Sequence, residues 1–473
     1  MFRLTIRMNR LSTCLLLLVS ACILPLSLQA QANNASHTLT YAPGKSITLS
    51  LPETFDINVA ASGLHRVRFF AQAPDGRVFV TGMYDLADNT QGSVFILDGW
   101  NEKTHTFTHV THYLDHLRNP NNLAFWTDPS THQTWLYLPL TDRLVRYKYN
   151  PGDNAPSSTP QVLIHYPDYG LNYKYGGWHL TRTVAVATLH GHTRIYVAAG
   201  SSCNYCREHE VIRASLSVMD PDGSHQQLLA HGLRNAVDLR FIPGLDGGSL
   251  FASNMGDDHL GDTLPEDSFF ELDSNARPGA IAGIQPGAFS NVNYGWPTCY
   301  FAHGRPTLDT TALPENPGPD DPAVADRPVL AKAGTLLPAG GGHASTADPN
   351  ADLGTVPEPL TSCKEVPAAY TTFAAHSSPL GMAYFGDDSP LLRGSFLVAL
   401  HGAGHQRIGT GYRLTQFTPG DRTPRDFLTG FLTKANGKPV IHGRPCGRLQ
   451  IGPDSFLLTD DYLGLVYFIH PKS

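Results

Sequence analysis

The sequence predicts an all-β protein, a six-bladed β-propeller with long loop insertions, and three observations carry that expectation. A theme of apolar strand, turn and second strand recurs six times along the 473 residues. Glycine (44) and proline (36) are frequent without a collagen period, as many short strands and turns require. Charged residues make up 16% of the chain where ordinary globular usage is about 25%, and 41% is hydrophobic, which excludes a disordered tail protein.

The repeats justify the blades in order. Residues 69–98 read FFAQAPDGRVFVTGMY and then GSVFILDG, two apolar strands hinged on Pro-Asp-Gly and followed by a third. Residues 121–150 repeat the theme as NNLAFWTDPSTHQTWLYLPLTDRLVRYKYN. The third copy runs TRTVAVATLHGHTRIYVAAGS and ASLSVMDPDG, the fourth AVDLRFIPGLDGGSLFASNMGDD. Residues 380–417 supply LGMAYFGDDSPLLRGSFLVALHG and GYRLTQF, and residues 447–469 supply GRLQIGPDSFLLTDDYLGLVYFI. Period-2 alternation of Val, Ile, Phe, Tyr and Leu is the strand signal. A lone sheet of three or four strands leaves apolar faces in water, and radial stacking of six such sheets covers them. The early segment DINVA (Asp56 to Ala60) is placed to close the ring against the last blade, and a sandwich is the fallback. Two insertions interrupt the pattern, at residues 255–300 and 300–360; long loops in a compact domain often carry function. No linker divides residues 33–473, which read as one domain.

The first 32 residues read as an export segment. Arg3, Arg7 and Arg10 precede the mostly apolar stretch Leu11 to Leu28, and Ala30-Gln31-Ala32 supplies small residues for cleavage after Ala32. A competing reading takes Val19-Ser20-Ala21-Cys22 as a lipoprotein box that would leave a lipidated Cys22. No later stretch reaches the 18 or so apolar residues of a membrane-spanning helix, so a periplasmic or secreted chain, soluble or tethered only by lipid, is expected. Losing three arginines and no acid moves the net charge from −7 to −10. An acidic chain without a basic run makes a poor partner for nucleic acid.

Five cysteines remain beyond the export segment. Pairing is the default in an exported protein, and the expected bridges are Cys299–Cys363 and a local Cys203–Cys206, with Cys446 left over. Cys203-Asn-Tyr-Cys206 is followed by Arg207 rather than His, so it is no haem-attachment motif.

Candidate chemistry gathers where repeats begin. His179, in Gly176-Gly177-Trp178-His179-Leu180-Thr181-Arg182, offers an imidazole suited to taking a proton near neutrality. Arg234, in Gly232-Leu233-Arg234-Asn235, offers a permanently charged planar fork. The acidic loop Gly256-Asp257-Asp258-His259-Leu260-Gly261-Asp262 suits a hard cation bound by carboxylates or carbonyls, although it lacks the EF-hand spacing. His376 to Gly381, His401 to Arg407 and Gly443 to Arg448 occupy equivalent positions in the fifth and sixth repeats. No GxSxG elbow, Walker loop or HExxH pattern competes.

Taken in order, these stretches, with Ser201 to Cys206, Asn293 to Cys299 (NYGWPTC) and Gly443 to Asp461, resemble the soluble quinoprotein sugar dehydrogenases, including the sorbosone and aldose dehydrogenase branches, over most of residues 55–470. The resemblance implies a six-bladed propeller binding pyrroloquinoline quinone and calcium in its central cleft. It makes His179 the general base for the sugar hydroxyl while hydride passes to quinone C5. Arg234 would stabilise charge on the quinone oxygen, and Asn235 would hold that end of the cofactor. Backbone carbonyls of Gly256 and Asp257 would ligate calcium, and Arg444 would pair with cofactor carboxylates. Departures are visible: Trp178 stands where the glucose enzyme has an acid, Cys446 where it has a second arginine, and Gly404-His405-Gln406-Arg407 replaces a Trp-Asn pair before an arginine. A cofactor-contacting lysine aligns near His401, which leaves His401 or Arg407 as its replacement.

The expected function is therefore that of an exported dehydrogenase oxidising an aldose or related sugar and passing electrons to a cytochrome or another quinone. A calcium-dependent propeller hydrolase of the lactonase kind and a non-catalytic ligand-binding propeller are the alternatives. Calcium on backbone carbonyls, as against a ring of Asp and Glu side chains, separates the first two.

Overall fold

A computed structural model describes residues 33–167, 179–189, 191–245, 248–272, 292–315, 350–405 and 407–472. Among them lie six sheets of four or five strands. Their innermost strands are Val67–Gln72, Ala124–Thr127, Arg182–Leu189, Ala236–Ile242, Pro379–Phe385 and Pro445–Gln450, one for each repeat. Each touches the inner strand of the next blade, and the sixth touches the first. The expected six-bladed propeller is the observed fold.

The ring closes as the early segment suggested. Phe55–Ala61 pairs antiparallel with Leu465–Pro471, Val59 facing Tyr467, and becomes the outer strand of the sixth blade. An early strand and the last strand of the described chain are thereby tied into one sheet, which closes the ring.

Six buried apolar clusters fill the spaces between successive blades, and this is where the core sits. Phe79, Ile96 and Tyr113 of the first blade meet Leu136, Leu138 and Tyr149 of the second. Phe251 and Phe269 of the fourth meet Phe396 and Phe417 of the fifth. Because each blade is covered on both faces, middle strands such as Ser249–Asn254 and Ser395–Leu400 are buried at every position. Strict alternation is accordingly lost in the strands packed on two sides.

The insertions add small elements outside the blades. Val292–Asn293 joins the third blade as a parallel fifth strand, and Cys299–Ala302 pairs with Arg305–Leu308 as a hairpin. Both expected disulfides form, Cys203–Cys206 and Cys299–Cys363. Cys446 is free and buried, and burial pushes its thiol up to about 12. No helix among the described residues is long and apolar enough to cross a membrane. Residues 1–32, with the export segment and Cys22, lie outside the described residues, as do Trp178 and Gln406.

Candidate functional site

Inner strands of the propeller start, and second strands end, at one mouth of the channel, and the candidate residues sit on those ends. His179 precedes Arg182–Leu189, Arg234 and Asn235 precede Ala236–Ile242, and Arg444 precedes Pro445–Gln450. His401 follows Ser395–Leu400, and Asp461 follows Phe456–Asp460. Short turns at strand ends are where a rigid scaffold can aim a side chain inward.

His179 is half-buried, and its partners define its proton. Nδ1 lies 2.8 Å from Ser201 Oγ and 3.1 Å from the Ser201 carbonyl. The Ser201 hydroxyl donates its one proton to the Cys203 carbonyl at 2.6 Å. Ser201 Oγ therefore accepts from His179, the proton resides on Nδ1, and Nε2 carries the free lone pair. Among the described residues Nε2 has no hydrogen-bond partner. Burial, and then the nearby Arg234 charge, hold the imidazole well below its usual range, so it stands neutral and ready to accept a proton.

Gly200 makes this approach possible. A Cβ there would lie 2.5 Å from His179 Cβ and 2.7 Å from Asn235 Oδ1, which places the base and Asn235 on either side of one backbone position. Asn235 Oδ1 accepts from Thr181 Oγ1 at 2.9 Å. Fixed partners hold the amide orientation.

Arg234 is buried, and its fork is already engaged. Nε donates to the Asn204 carbonyl at 2.9 Å, Nη2 to Asn204 Oδ1 at 2.6 Å and Nη1 to the Gly256 carbonyl at 2.6 Å. Asn204 lies inside the two-residue loop closed by Cys203–Cys206, and Trp296 Nε1 donates to its carbonyl at 3.3 Å. One turn, Ser201 to Cys206, thus orients both the imidazole and the guanidinium.

The acidic loop turns its carboxylates to protein partners. Asp257 Oδ1 is 2.7 Å from His259 Nδ1, and Asp258 Oδ1 is 2.9 Å from His376 Nδ1. Asp267 accepts from the amides of Gly256 and Ser378, and burial nevertheless pushes its carboxyl up to about 7. Arg407, half of the pair expected to replace a lysine, is exposed and holds Asp262 with contacts of 2.5 and 2.9 Å. It latches the loop to the fifth blade at the surface and does not join the base.

A second group surrounds Asp461 at the mouth. His401 Nε2 lies 2.8 Å from Asp461 Oδ1, Arg68 Nη1 donates to Oδ2 at 3.0 Å, and Arg66 stands 3.7 Å away. Arg444 donates to the carbonyls of Gly402 and Ala403 and lies 3.3 Å from His401 Nδ1. Burial outweighs Asp461 and holds His401 below its usual range, hence neutral. Arg66, Arg68 and Arg444 thus stand around Asp461, and Asp460 beside it accepts from the Arg444 amide at 3.0 Å.

The structure therefore brings His179, Arg234, Asn235 and Gly256 together, groups His401 with Arg444, and sets Arg407 apart. Gly200, Ser201, Asn204, Arg68 and Asp461 received no role from the sequence. Their signal was the position of Ser201 to Cys206 and Gly443 to Asp461 within ordered motifs, which marks a place but not a partner.

The donor set suits a flat quinone with carboxylates: arginines stand at the mouth, a neutral base presents a bare nitrogen, and Gly200 lets His179 and Asn235 pack against one backbone position. It does not fit calcium in this conformation, because the Gly256 carbonyl faces a guanidinium rather than an ion.

No family model and no curated protein matches the chain. Among solved structures, the fold is similar to the holo form of the pyranose dehydrogenase PQQ domain from Coprinopsis cinerea, with a TM-score of 0.58 and 16% identity over 89% of this chain and 97% of that one. It is similar too to the calcium structure of carbohydrate-active enzymes family AA12 from Trichoderma reesei, with a TM-score of 0.58 and 15% identity over 89% and 96%. At such identities the likeness is one of fold.

Proposed function

We propose that this chain is an exported, quinone-dependent dehydrogenase that oxidises a sugar at a hydroxyl-bearing carbon. The observation that carries the reading is the fixed tautomer of His179, a neutral base with Nε2 free beside Arg234 and Asn235. The fold likeness to a PQQ-containing pyranose dehydrogenase domain and to an AA12 enzyme supports it.

Pyrroloquinoline quinone, when bound, supplies a two-electron hydride acceptor. His179 Nε2 takes the proton of the sugar hydroxyl, while Ser201 keeps the ring oriented through Nδ1. Burial and the neighbouring Arg234 charge disfavour the imidazolium, so His179 gives that proton up again to solvent. Arg234 and Asn235 hold the reacting edge of the site, and Arg66, Arg68 and Arg444 at the mouth favour carboxylates. Calcium at Gly256 and Asp257 takes no part in this sequence. Electrons leave to an exported acceptor, a cytochrome or another quinone.

The hydrolase alternative needs side-chain carboxylates turned to one ion, whereas those of residues 256–267 turn to His259, His376, Arg407 and three amides. The test is reconstitution of purified protein with pyrroloquinoline quinone, followed by dye reduction across a sugar panel. Turnover that His179→Ala lowers by about 10²–10⁴ is expected, and absence of quinone binding defeats the proposal.

A further inference from the structure

On the first blade a groove of about 320 Å3 runs from the inner strand to the outer strand, at the lower end of the size range of small-molecule sites, about 300–1,000 Å3. His65, Tyr84, Gln91, Ser93, His112 and Asp115 line it. They stand where Val67–Gln72 begins, Val78–Gly82 ends, Gly92–Asn101 begins and Thr106–Leu117 ends, which is the same mouth as His179. Arg66, next to the lining residue His65, reaches Asp461 at 3.7 Å, which links the inner end of the groove by one residue to the His401 and Arg444 group.

The chemistry of the lining selects its ligand. The rings of His65 and Tyr84 lie 5.3 Å apart at 38°, and Tyr84 is 38% exposed, giving a flat partly apolar wall. Asp115 Oδ1 accepts from Ser93 Oγ at 2.6 Å and faces His112 Nδ1 at 2.8 Å, which fixes the carboxylate and leaves Oδ2 as an acceptor. The Gln91 side chain and the His65 ring nitrogens have no hydrogen-bond partner among the described residues, so donors and acceptors stand side by side. No Lys or Arg lines the groove, and Asp115 repels anions. No three of its imidazole and carboxylate groups come within 4.8 Å of one another, as a shared metal ion would require. A neutral ligand with many hydroxyls and flat C–H faces meets these conditions.

We propose that the groove binds a neutral saccharide unit and that the substrate is an oligosaccharide, one end at His179 and a further unit on the first blade. This rests on the sugar-oxidising reading above.

The experiment is calorimetric titration of the full chain, without quinone, with neutral gluco-oligosaccharides of one to five units, alongside kcat/KM for the same series on quinone-loaded protein. Affinity rising at least tenfold from one unit to three or four is expected. Asp115→Asn and Tyr84→Asn, the latter a residue that tolerates the positive φ of 67° at this position, are expected to remove the increment while monosaccharide turnover and melting temperature stay unchanged. Chain-length-independent affinity, or an increment that survives both variants, overturns the groove even if monosaccharides are oxidised. Length-dependent, variant-sensitive binding without turnover keeps the groove and overturns the dehydrogenase reading.

Discussion

Arg234 Nη1 donates to the Gly256 carbonyl oxygen at 2.6 Å, so the oxygen expected to bind a divalent ion is held by a buried guanidinium. Two cations cannot share that carbonyl at low cost, and calcium has to displace the arginine to reach it. Arg234→Ala is accordingly expected to raise calcium affinity severalfold while lowering turnover; calorimetric calcium titration of both proteins checks the sign.

Removing the base should cost turnover and little else. His179→Ala is expected to lower kcat by about 10²–10⁴, the usual worth of a general base. Since burial and Arg234 hold His179 well below 6.5, the wild-type pH profile should lose activity only well below pH 6.5. A limb at or above 6.5 would contradict the assigned environment.

The hydroxyl of Ser201 is a positioning group, acting through the imidazole. Ser201→Ala leaves only the Ser201 carbonyl, at 3.1 Å, beside Nδ1, so kcat is expected to fall roughly tenfold with KM unchanged, about 1.4 kcal/mol of barrier. Nitrogen NMR of His179 should show the proton on Nδ1 in the parent and a mixed population in the variant. Ser201→Thr restores the hydroxyl and should recover most of the rate.

At Gly200 a single methyl meets both His179 and Asn235. Gly200→Ala is expected to cost about 1–3 kcal/mol, the range for overpacking a filled site, and to reduce quinone affinity. Denaturant melts and fluorescence titration with the quinone measure the two effects separately.

The two disulfides should behave oppositely. Cys299–Cys363 closes a long loop, 64 residues apart, and its double Ser variant is expected to lose about 4 kcal/mol of stability with modest change in kcat. Cys203–Cys206, only three apart, contributes roughly 2 kcal/mol by the same entropy argument. Its removal should depress turnover more, because Asn204 within it holds Arg234.

Much of the architecture was legible because strand periodicity and turn residues are local signals. The six repeats, the closing strand at Asp56 to Ala60 and both cysteine pairs appear in the fold as read. The alternating pattern understated the burial of the middle strands, since a sequence window does not reveal that a blade has neighbours on both faces. Of the residues singled out at repeat starts, His179, Arg234 and Asn235 stand close together, Arg444 groups with His401, and Arg407, in the same stretch as His401, holds Asp262 at the surface.

By itself, then, the sequence determined the blade count, the ring closure and which strand ends face the channel, all of which depend on patterns within tens of residues. Only the tertiary structure decided the partners: Arg68 meets Asp461 across 393 positions, Arg407 meets Asp262 across 145, and Arg234 turns to Asn204 and Gly256. Proton location and ion pairing depend on atoms a few ångströms apart in space, and separation along the chain carries almost no information about that distance.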